Sequence, residues 1–322
     1  MRRFTLLIAA AVVAQLACGS AGAQNFPTRP MRILVGYAPG GGADLSARTI
    51  AAKLSEKFGT PVTVENRPGA GGQIAMEAVV RSTPDGHTLL VSPNGPIVIT
   101  PQLRKMPFDV NKDLMPVSMI AFSPIAIAVN AKQPMRNLSE LVSASKAKMG
   151  GLSYSVPSIG THMHVAGEML KFMTGANLVP IPYPGAAPSV MALVAGNVEM
   201  SISDMATLLP QAKAGRIRIL ALTNSSRTTF APDVPTVSEL GFPDYRADGW
   251  NAIFAPAGTP EDILNRLNAA ILEALALPDV RTLLISANLD PAPMKLDQMA
   301  RFLAEDYKRW GDVIRRANLK VD

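Results

Sequence analysis

Cysteine is nearly absent from this chain: one occurs in 322 residues, Cys18, and it lies in an N-terminal stretch that reads as a removable leader. The mature chain is therefore expected to have no disulfide, no thiol nucleophile and no cysteine-based zinc site. Histidine is sparse too, with only His87, His162 and His164. Aromatic residues make up 5 % of the chain and charged residues 17 %. So few aromatics argue against a base-stacking nucleic-acid surface, and no basic run is present to track a phosphate backbone. The net charge of +6 falls to +4 once Arg2 and Arg3 leave with the leader, with 29 basic residues against 25 acidic. That mild, scattered excess suits an anionic small molecule, with no nucleic-acid partner.

No apolar run reaches the ~20 residues that a membrane span needs. Residues 1–23 instead have the three parts of a secretory signal peptide: Arg2-Arg3, the apolar run Leu6 to Val13, and the small-residue site Ala21-Gly22-Ala23. A lipoprotein site at Cys18 is the minor alternative, disfavoured by Gln15 where a leucine is usual. The mature product is expected to be exported to the periplasm. Its length suits two domains of about 150 residues each, and an apolar share of 48 % fills their cores.

What the chain does have is a glycine-rich joint, ILVGYAPGGGADLSARTIAAKLSEKF from Ile33 to Phe58. A short apolar strand breaks at Gly36-Tyr37-Ala38-Pro39 and passes Gly40, Gly41 and Gly42. An amphipathic helix follows, with Ala47, Ile50, Leu54 and Phe58 on one face and a stop at Gly59. Glycines here permit close backbone approach. The helix start adds orphan N–H donors and about half a positive charge. Together they form an anion site. The spacing excludes a dinucleotide loop, because Leu45 stands where the last glycine belongs, and no Gly-Lys-Ser/Thr phosphate loop occurs. Ala43 and Asp44 open the helix; Asp44 either caps it or orients water, since it would repel an anion directly beside it.

The rest of the chain repeats this strand–loop–helix plan. Pro61 to Glu65 and Thr88 to Ser92 read as strands, separated by the glycine turn Asn66 to Gly72 and a helix through Ile74 and Val79. Ser92 and Asn94 close the third strand, in a loop Pro93-Asn94-Gly95-Pro96. Ile120 to Asn130 reads as a crossing into a second α/β unit, and Arg246 to Pro256 as the crossing back. The division expected is 24–121 plus 252–322 for lobe 1 and 122–251 for lobe 2, a two-strand hinge that permits closure. In lobe 2, Val156 leads into Ser158-Ile159-Gly160-Thr161 and a helix from His162, matching the first joint.

Several residues carry alternatives. Ser158 has half of a nucleophile elbow without its first glycine, so hydrogen bonding to an anion is the favoured use. His162 and His164 diverge by about 200° on a helix, which argues against a shared metal. Asp204 closes a strand and either caps the next helix alone or also meets a ligand ammonium or hydroxyl. Trp250 lines the cleft or fills the hinge.

Taken together, FPTRPMRILVGYAPGGGADLSAR, VTVENRPGAGG, PDGHTLL, IPYPGAAPSVMALVAGNVEMSISD, KAGRIRILALT, APDVPTVSELGFP and FAPAGTP resemble the Bug family of extracytoplasmic solute receptors over nearly the whole mature chain. The resemblance implies an α/β fold of the type II periplasmic binding protein class, two doubly wound α/β lobes joined by two crossing segments. It implies a monomer that serves the membrane subunits of a tripartite tricarboxylate transporter, with no cofactor and no catalysis. A ligand carboxylate would be gripped by two loops: Tyr37, Pro39, Gly40, Gly41, Gly42, Ala43 and Asp44 on one side, and Ser158, Ile159, Gly160, Thr161 and His162 on the other. Ser92, Asn94 and Asp204 correspond to the family's strand-end positions. Where members carry PFPPGGG, this chain has GYAPGGG, so Tyr37 adds a hydroxyl. A sensor that presents its ligand to a two-component kinase, and a secreted enzyme using Ser158 and His162, are the competing readings.

Overall fold

The structure, a computed structural model, describes residues 26–319; the leader and Cys18 lie outside them. The first strand, β1 (Met31–Val35), is buried at every position except Arg32. Such a continuous apolar run is what a parallel strand covered on both faces requires. β2 (Val62–Asn66) and β3 (Thr88–Pro93) flank it, both parallel to it. Helix α1 (Gly42–Phe58) makes the first crossover, with Ala47, Ile50 and Leu54 fully buried, and ends at Gly59 in the left-handed conformation, φ 62°. Helix α2 (Gln73–Val80) makes the second.

β4 (Leu114–Phe122) completes this side, but it does not pair with β3. β10 (Trp250–Pro256) lies between them, antiparallel to both. The two-residue β11 (Asp290–Pro291) extends the edge, giving the order β11-β4-β10-β3-β1-β2. The second sheet contains β5 (Ile125–Asn130), β6 (Leu152–Val156), β7 (Leu178–Pro182), β8 (Met200–Asp204) and β9 (Ile217–Leu222) in the order β7-β6-β8-β5-β9. Here β5 is the antiparallel insert, between β8 and β9. The two sheets therefore share one plan, in which β6 stands where β1 stands. Each antiparallel insert is delivered by a chain that has just left the other sheet.

The helices of the second sheet are α3 (Leu138–Ala147), α4 (His162–Thr174), α5 (Ala186–Ala195) and α6 (Met205–Lys213). A capping arrangement starts α3: Asn137 accepts from the Glu140 N–H at 2.9 Å, while the Glu140 carboxylate reaches back to the Arg136 N–H at 2.7 Å. After β10 come α7 (Glu261–Ala276), α8 (Pro278–Ser286) and α9 (Leu296–Arg316). No helix among the described residues is long and apolar enough to cross a membrane.

Two sequence expectations change, and the open alternative at Trp250 is decided. The stretch 120–130 is not one segment: Phe122 ends β4, and Ser123-Pro124 turn the chain into β5. The expected loop at 93–96 winds at once into a helical segment, Gly95–Ile99 followed by Thr100–Leu103, despite prolines at 96 and 101. Proline is tolerated at these positions because each falls in the first turn, where no N–H is needed. Trp250 fills the interior beside the returning crossing and is absent from the cavity wall: it is wholly buried, packs edge-on to Phe302 with centroids 6.1 Å apart, and donates Nε1–H to Asp306 at 2.8 Å. That bond ties the last helix to the returning strand.

The two crossings touch. The Ser123 N–H donates to the Gly249 carbonyl at 2.8 Å. A Cβ built on Gly249 would lie 2.4 Å from the Ser123 carbonyl oxygen and 3.2 Å from His162 Nε2. Only hydrogen fits there. Gly249→Ala should cost about 1–3 kcal/mol, the range for overpacking a close contact. Urea unfolding checks this, and a midpoint equal to wild type would remove the crossing contact from the fold's constraints.

Candidate ligand-binding site

A cavity of about 520 Å3 lies where strands of both sheets end. Carboxyl ends of strands are where open α/β sheets hold ligands, because helix N-termini converge there. Its wall takes Tyr37 after β1, Pro93 at the end of β3 and Gly95 beyond it, Pro157 to Met163 after β6, and Gly185 after β7. Ala70, Gly71, Pro96, Thr100, Leu103 and Arg104 complete it. A smaller groove of about 310 Å3 between α4 and α9 carries side chains of both charges and no strand ends. The larger cavity is the candidate site.

On the first side, the glycine turn at 69–72 buttresses the β1 loop. Gly36 and Gly72 press together so closely that a Cβ on Gly36 would sit 2.5 Å from Gly72 Cα. Tyr37 donates its hydroxyl to the Gly71 carbonyl at 3.1 Å, and burial raises its pKa well above the ordinary phenol value. Asn66 donates to the Tyr37 carbonyl at 3.0 Å and to Asp44 Oδ1 at 2.8 Å. Asp44 is not the N-cap; Gly41 holds that place, without a side-chain cap. From the first turn, Asp44 accepts from the Gly40 N–H at 2.9 Å and pairs with Arg48 at 3.0 Å. Burial alone would raise its pKa, but the bonds from Arg48, Gly40 and Asn66 and the Arg48 charge outweigh it and hold the carboxyl low. The acid is thus consumed in shaping the loop. Gly40, Gly41 and Gly42 stay exposed beside Pro39, and Ala43 is buried behind them. Pro39 to Asp44 lie outside the cavity wall itself.

On the second side, Ser158, Ile159, Gly160, Thr161 and His162 all line the cavity. Thr161 caps α4 by accepting from the His164 N–H at 3.3 Å, and its own hydroxyl donates to the Ser158 carbonyl at 2.8 Å. The Gly160 N–H donates to His164 Nδ1 at 3.2 Å. The first N–H groups of α4, on His162 and Met163, have no intrahelical acceptor, as at every helix start. The two histidines part ways, as their spacing requires. His164 turns back to Gly160 with Glu168 beyond it, while the His162 ring lies against Gly249. His162 retains some exposure as a residue, yet Nε2 is enclosed without a partner, and burial pushes its pKa down to about 4. The ring is neutral at pH 7. Ser158 Oγ donates weakly to the Ile159 carbonyl at 3.4 Å, and no histidine bonds it among the described residues.

The other strand-end candidates sit around this centre. Ser92 is buried, with Oγ donating to the Pro93 carbonyl at 3.0 Å. Asn94 is fully buried, and Nδ2 donates to the Asp248 carbonyl at 3.1 Å, which fastens the β3 exit to the returning crossing. Asp204 caps α6 by accepting from the Thr207 N–H at 2.9 Å; burial raises its pKa against the Thr207 bonds. None of the three is in the cavity wall. Arg104 is, and sequence reasoning missed it. Its signal was a cation at the end of a short apolar run directly after a strand end, within Pro96 to Lys105.

Two α/β sheets of one topology, each completed by a strand from the other side and facing a shared cleft, define the periplasmic binding-protein class of fold. Residues 46–319 match the tripartite tricarboxylate transporter family receptor. The chain belongs to that family of solute receptors. It is 36 % identical to Protein BugT of Bordetella pertussis over 301 residues, 93 % of this chain and 92 % of that one. An R. palustris protein solved with adipate is 32 % identical with a TM-score of 0.80, covering 92 % of this chain and 99 % of that one. MatC from Rhodopseudomonas palustris, solved with bound malate, is 31 % identical with a TM-score of 0.76, covering 90 % and 100 %.

Replacing Asp44 with Ala strands the Gly40 N–H and the Asn66 amide and should cost about 1–3 kcal/mol in urea unfolding; an unchanged midpoint would show that the loop holds without it. His162 makes a second prediction. Its pKa of about 4 lies below the ordinary 6.5, so the unfolded chain binds the proton first. Stability should fall as pH drops below 6.5 and continue to fall until about 4. The loss attributable to this ring is on the order of 1–2 kcal/mol by pH 5. His162→Gln should flatten the pH dependence of the urea midpoint between pH 7 and 5; an equally steep dependence in the variant would assign the effect elsewhere.

Proposed function

We propose that this protein is an exported periplasmic receptor that captures a small carboxylate between its lobes and presents it to the membrane subunits of a tripartite tricarboxylate transporter. The carrying observation is the pair of helix starts at equivalent positions, α1 after β1 and α4 after β6. Each carries N–H donors and the positive end of a helix dipole; the α4 start lines the cavity, and the α1 start follows Tyr37, which lines it too. The adipate and malate bound by its structural neighbours are small carboxylates of this kind. Residues 1–23 act as the leader. Residues 24–121 with 252–322, and residues 122–251, are the two bodies that close, and the receptor works as a monomer.

In this reading the site performs recognition and no reaction. Support comes from Ser158, which has no base bonded to it, and from His162, whose Nε2 is walled in by the crossing. The carboxylate is held by the loop Tyr37 to Asp44 and by Ser158 to His162, with Ser92 and Asn94 as the strand-end support and Asp204 at the margin.

Isothermal titration against mono-, di- and tricarboxylates, amino acids and aromatic acids should give saturable binding for at least one acid and no turnover. Absence of binding across that panel would end the proposal. Gly41→Glu should abolish binding by placing a carboxylate at the first helix start. The variant should fold normally, because Gly41 has an ordinary φ of −82° and a Cβ there meets nothing within 4 Å. Unchanged affinity in that variant would remove the first loop from the site.

A further inference from the structure

We propose that the contact between Thr229 and Asp290 is a latch that holds the ligand cleft open, so that these two residues set ligand affinity from outside the binding site. The inference rests on the receptor reading above, in which residues 24–121 with 252–322 close against residues 122–251. Outside the crossing segments 122–125 and 246–251, Thr229 and Asp290 form the only hydrogen-bonded contact between those two bodies among the described residues. Thr229 donates its hydroxyl to Asp290 Oδ1 at 2.6 Å, and its N–H reaches the same oxygen at 3.3 Å.

The strand order places this contact on the far side of the crossings from the cleft. In the first sheet, β10 separates β3, β1 and β2 from β4 and β11; in the second, β5 separates β8, β6 and β7 from β9. The cleft draws on the ends of β1, β3, β6 and β7, all on one side of these two inserts. Asp290 belongs to β11 and Thr229 follows β9, both on the other side. A second cavity of about 180 Å3 lies there, with Asp290, Thr229, Phe122, Pro124 and Asp248 in its wall. The bond from Ser123 to Gly249 falls between the two cavities. Pro124 and Asp248, next to it in the chain, line the second, while Gly249 itself lies against His162 in the wall of the first.

Two bodies that pivot on a contact between two gaps narrow one gap by widening the other. Closing the cleft therefore draws Thr229 away from Asp290. A hydrogen bond held in the open form and lost in the closed one biases the pair of states towards open, and a ligand that needs the closed form binds more weakly by the same factor. The bond is exposed to solvent, so that factor is modest.

Two readouts test the latch. Residues 24–322 contain no cysteine, so a pair of spin labels can be placed at will. Labels at Ile74→Cys on α2 and Met191→Cys on α5, both exposed and both on elements of the cleft side, report the distance between the bodies by electron–electron resonance without any ligand. Asp290→Ala and Thr229→Val should each move the ligand-free distances shorter, and Asp290→Asn, which keeps an acceptor, should move them less. Isothermal titration with adipate and with malate should give about three- to tenfold tighter binding in Asp290→Ala and in Thr229→Val. The double variant should gain no more than either single one, because both remove the same contact. Unchanged distances overturn the latch, and so do longer distances with weaker binding, which would assign the contact to the closed form. Shorter distances with unchanged affinity overturn its control of binding. If neither acid binds wild type while the distances still shorten, the receptor's ligand class fails and the latch stands on the distances alone.

Discussion

The contact between the two crossing segments constrains everything else. A Ser123 N–H meets the Gly249 carbonyl, and the chains run so close that position 249 admits no side chain. Each sheet needs this contact, because each receives its antiparallel strand, β5 or β10, from a chain that has just crossed. Asn94 extends the joint by bonding the Asp248 carbonyl, and Trp250 extends it further through Asp306. The Asp306 carboxyl is fully buried, and its pKa is raised by burial against the pull of Arg309 and Trp250. A buried carboxylate of this kind is costly to leave unpaired, so the last helix is held to the returning strand. The cleft lies directly beside this joint, with Pro93, Gly95 and His162 in its wall.

The cleft's electrostatics follow from where the acids go. Asp44 is taken up by Gly40, Asn66 and Arg48, and Asp204 by the start of α6. Each of these two carboxylates is therefore spent on backbone geometry. What faces the cavity is a set of helix-start N–H groups, hydroxyls, a neutral imidazole and one guanidinium. A wall that holds donors and no carboxylate favours an anion and offers little to a cation.

Much of this was legible in the sequence. The apolar strands with glycine or small-residue exits identified the α/β class, and the recurrence of Val35 into Gly40–Gly42 as Val156 into Ser158–Thr161 paired β1 with β6. Local signals such as Gly59 ending α1, Asn137 capping α3 and Asp204 capping α6 depend on a few neighbouring residues, so they are readable without the fold. Asp44 was half legible: its place near a helix start was clear, but its partner Asn66 comes from the next strand. Arg104 was marked only as a cation after a short apolar run, because proline-broken residues 95–103 gave no helical period to carry it into the cleft.

The sequence by itself determined the α/β class, the repeated loop plan and the two crossings, because periodicity, turn residues and caps act over short spans of chain. Only the tertiary structure decided which groups face one another. It pressed Gly36 against Gly72, turned Trp250 inward, walled in His162 Nε2 with Gly249, and brought Arg104 into one cavity with Ser158 and Thr161. Those are contacts between residues far apart in sequence, fixed by packing and exclusion, and no local pattern records them.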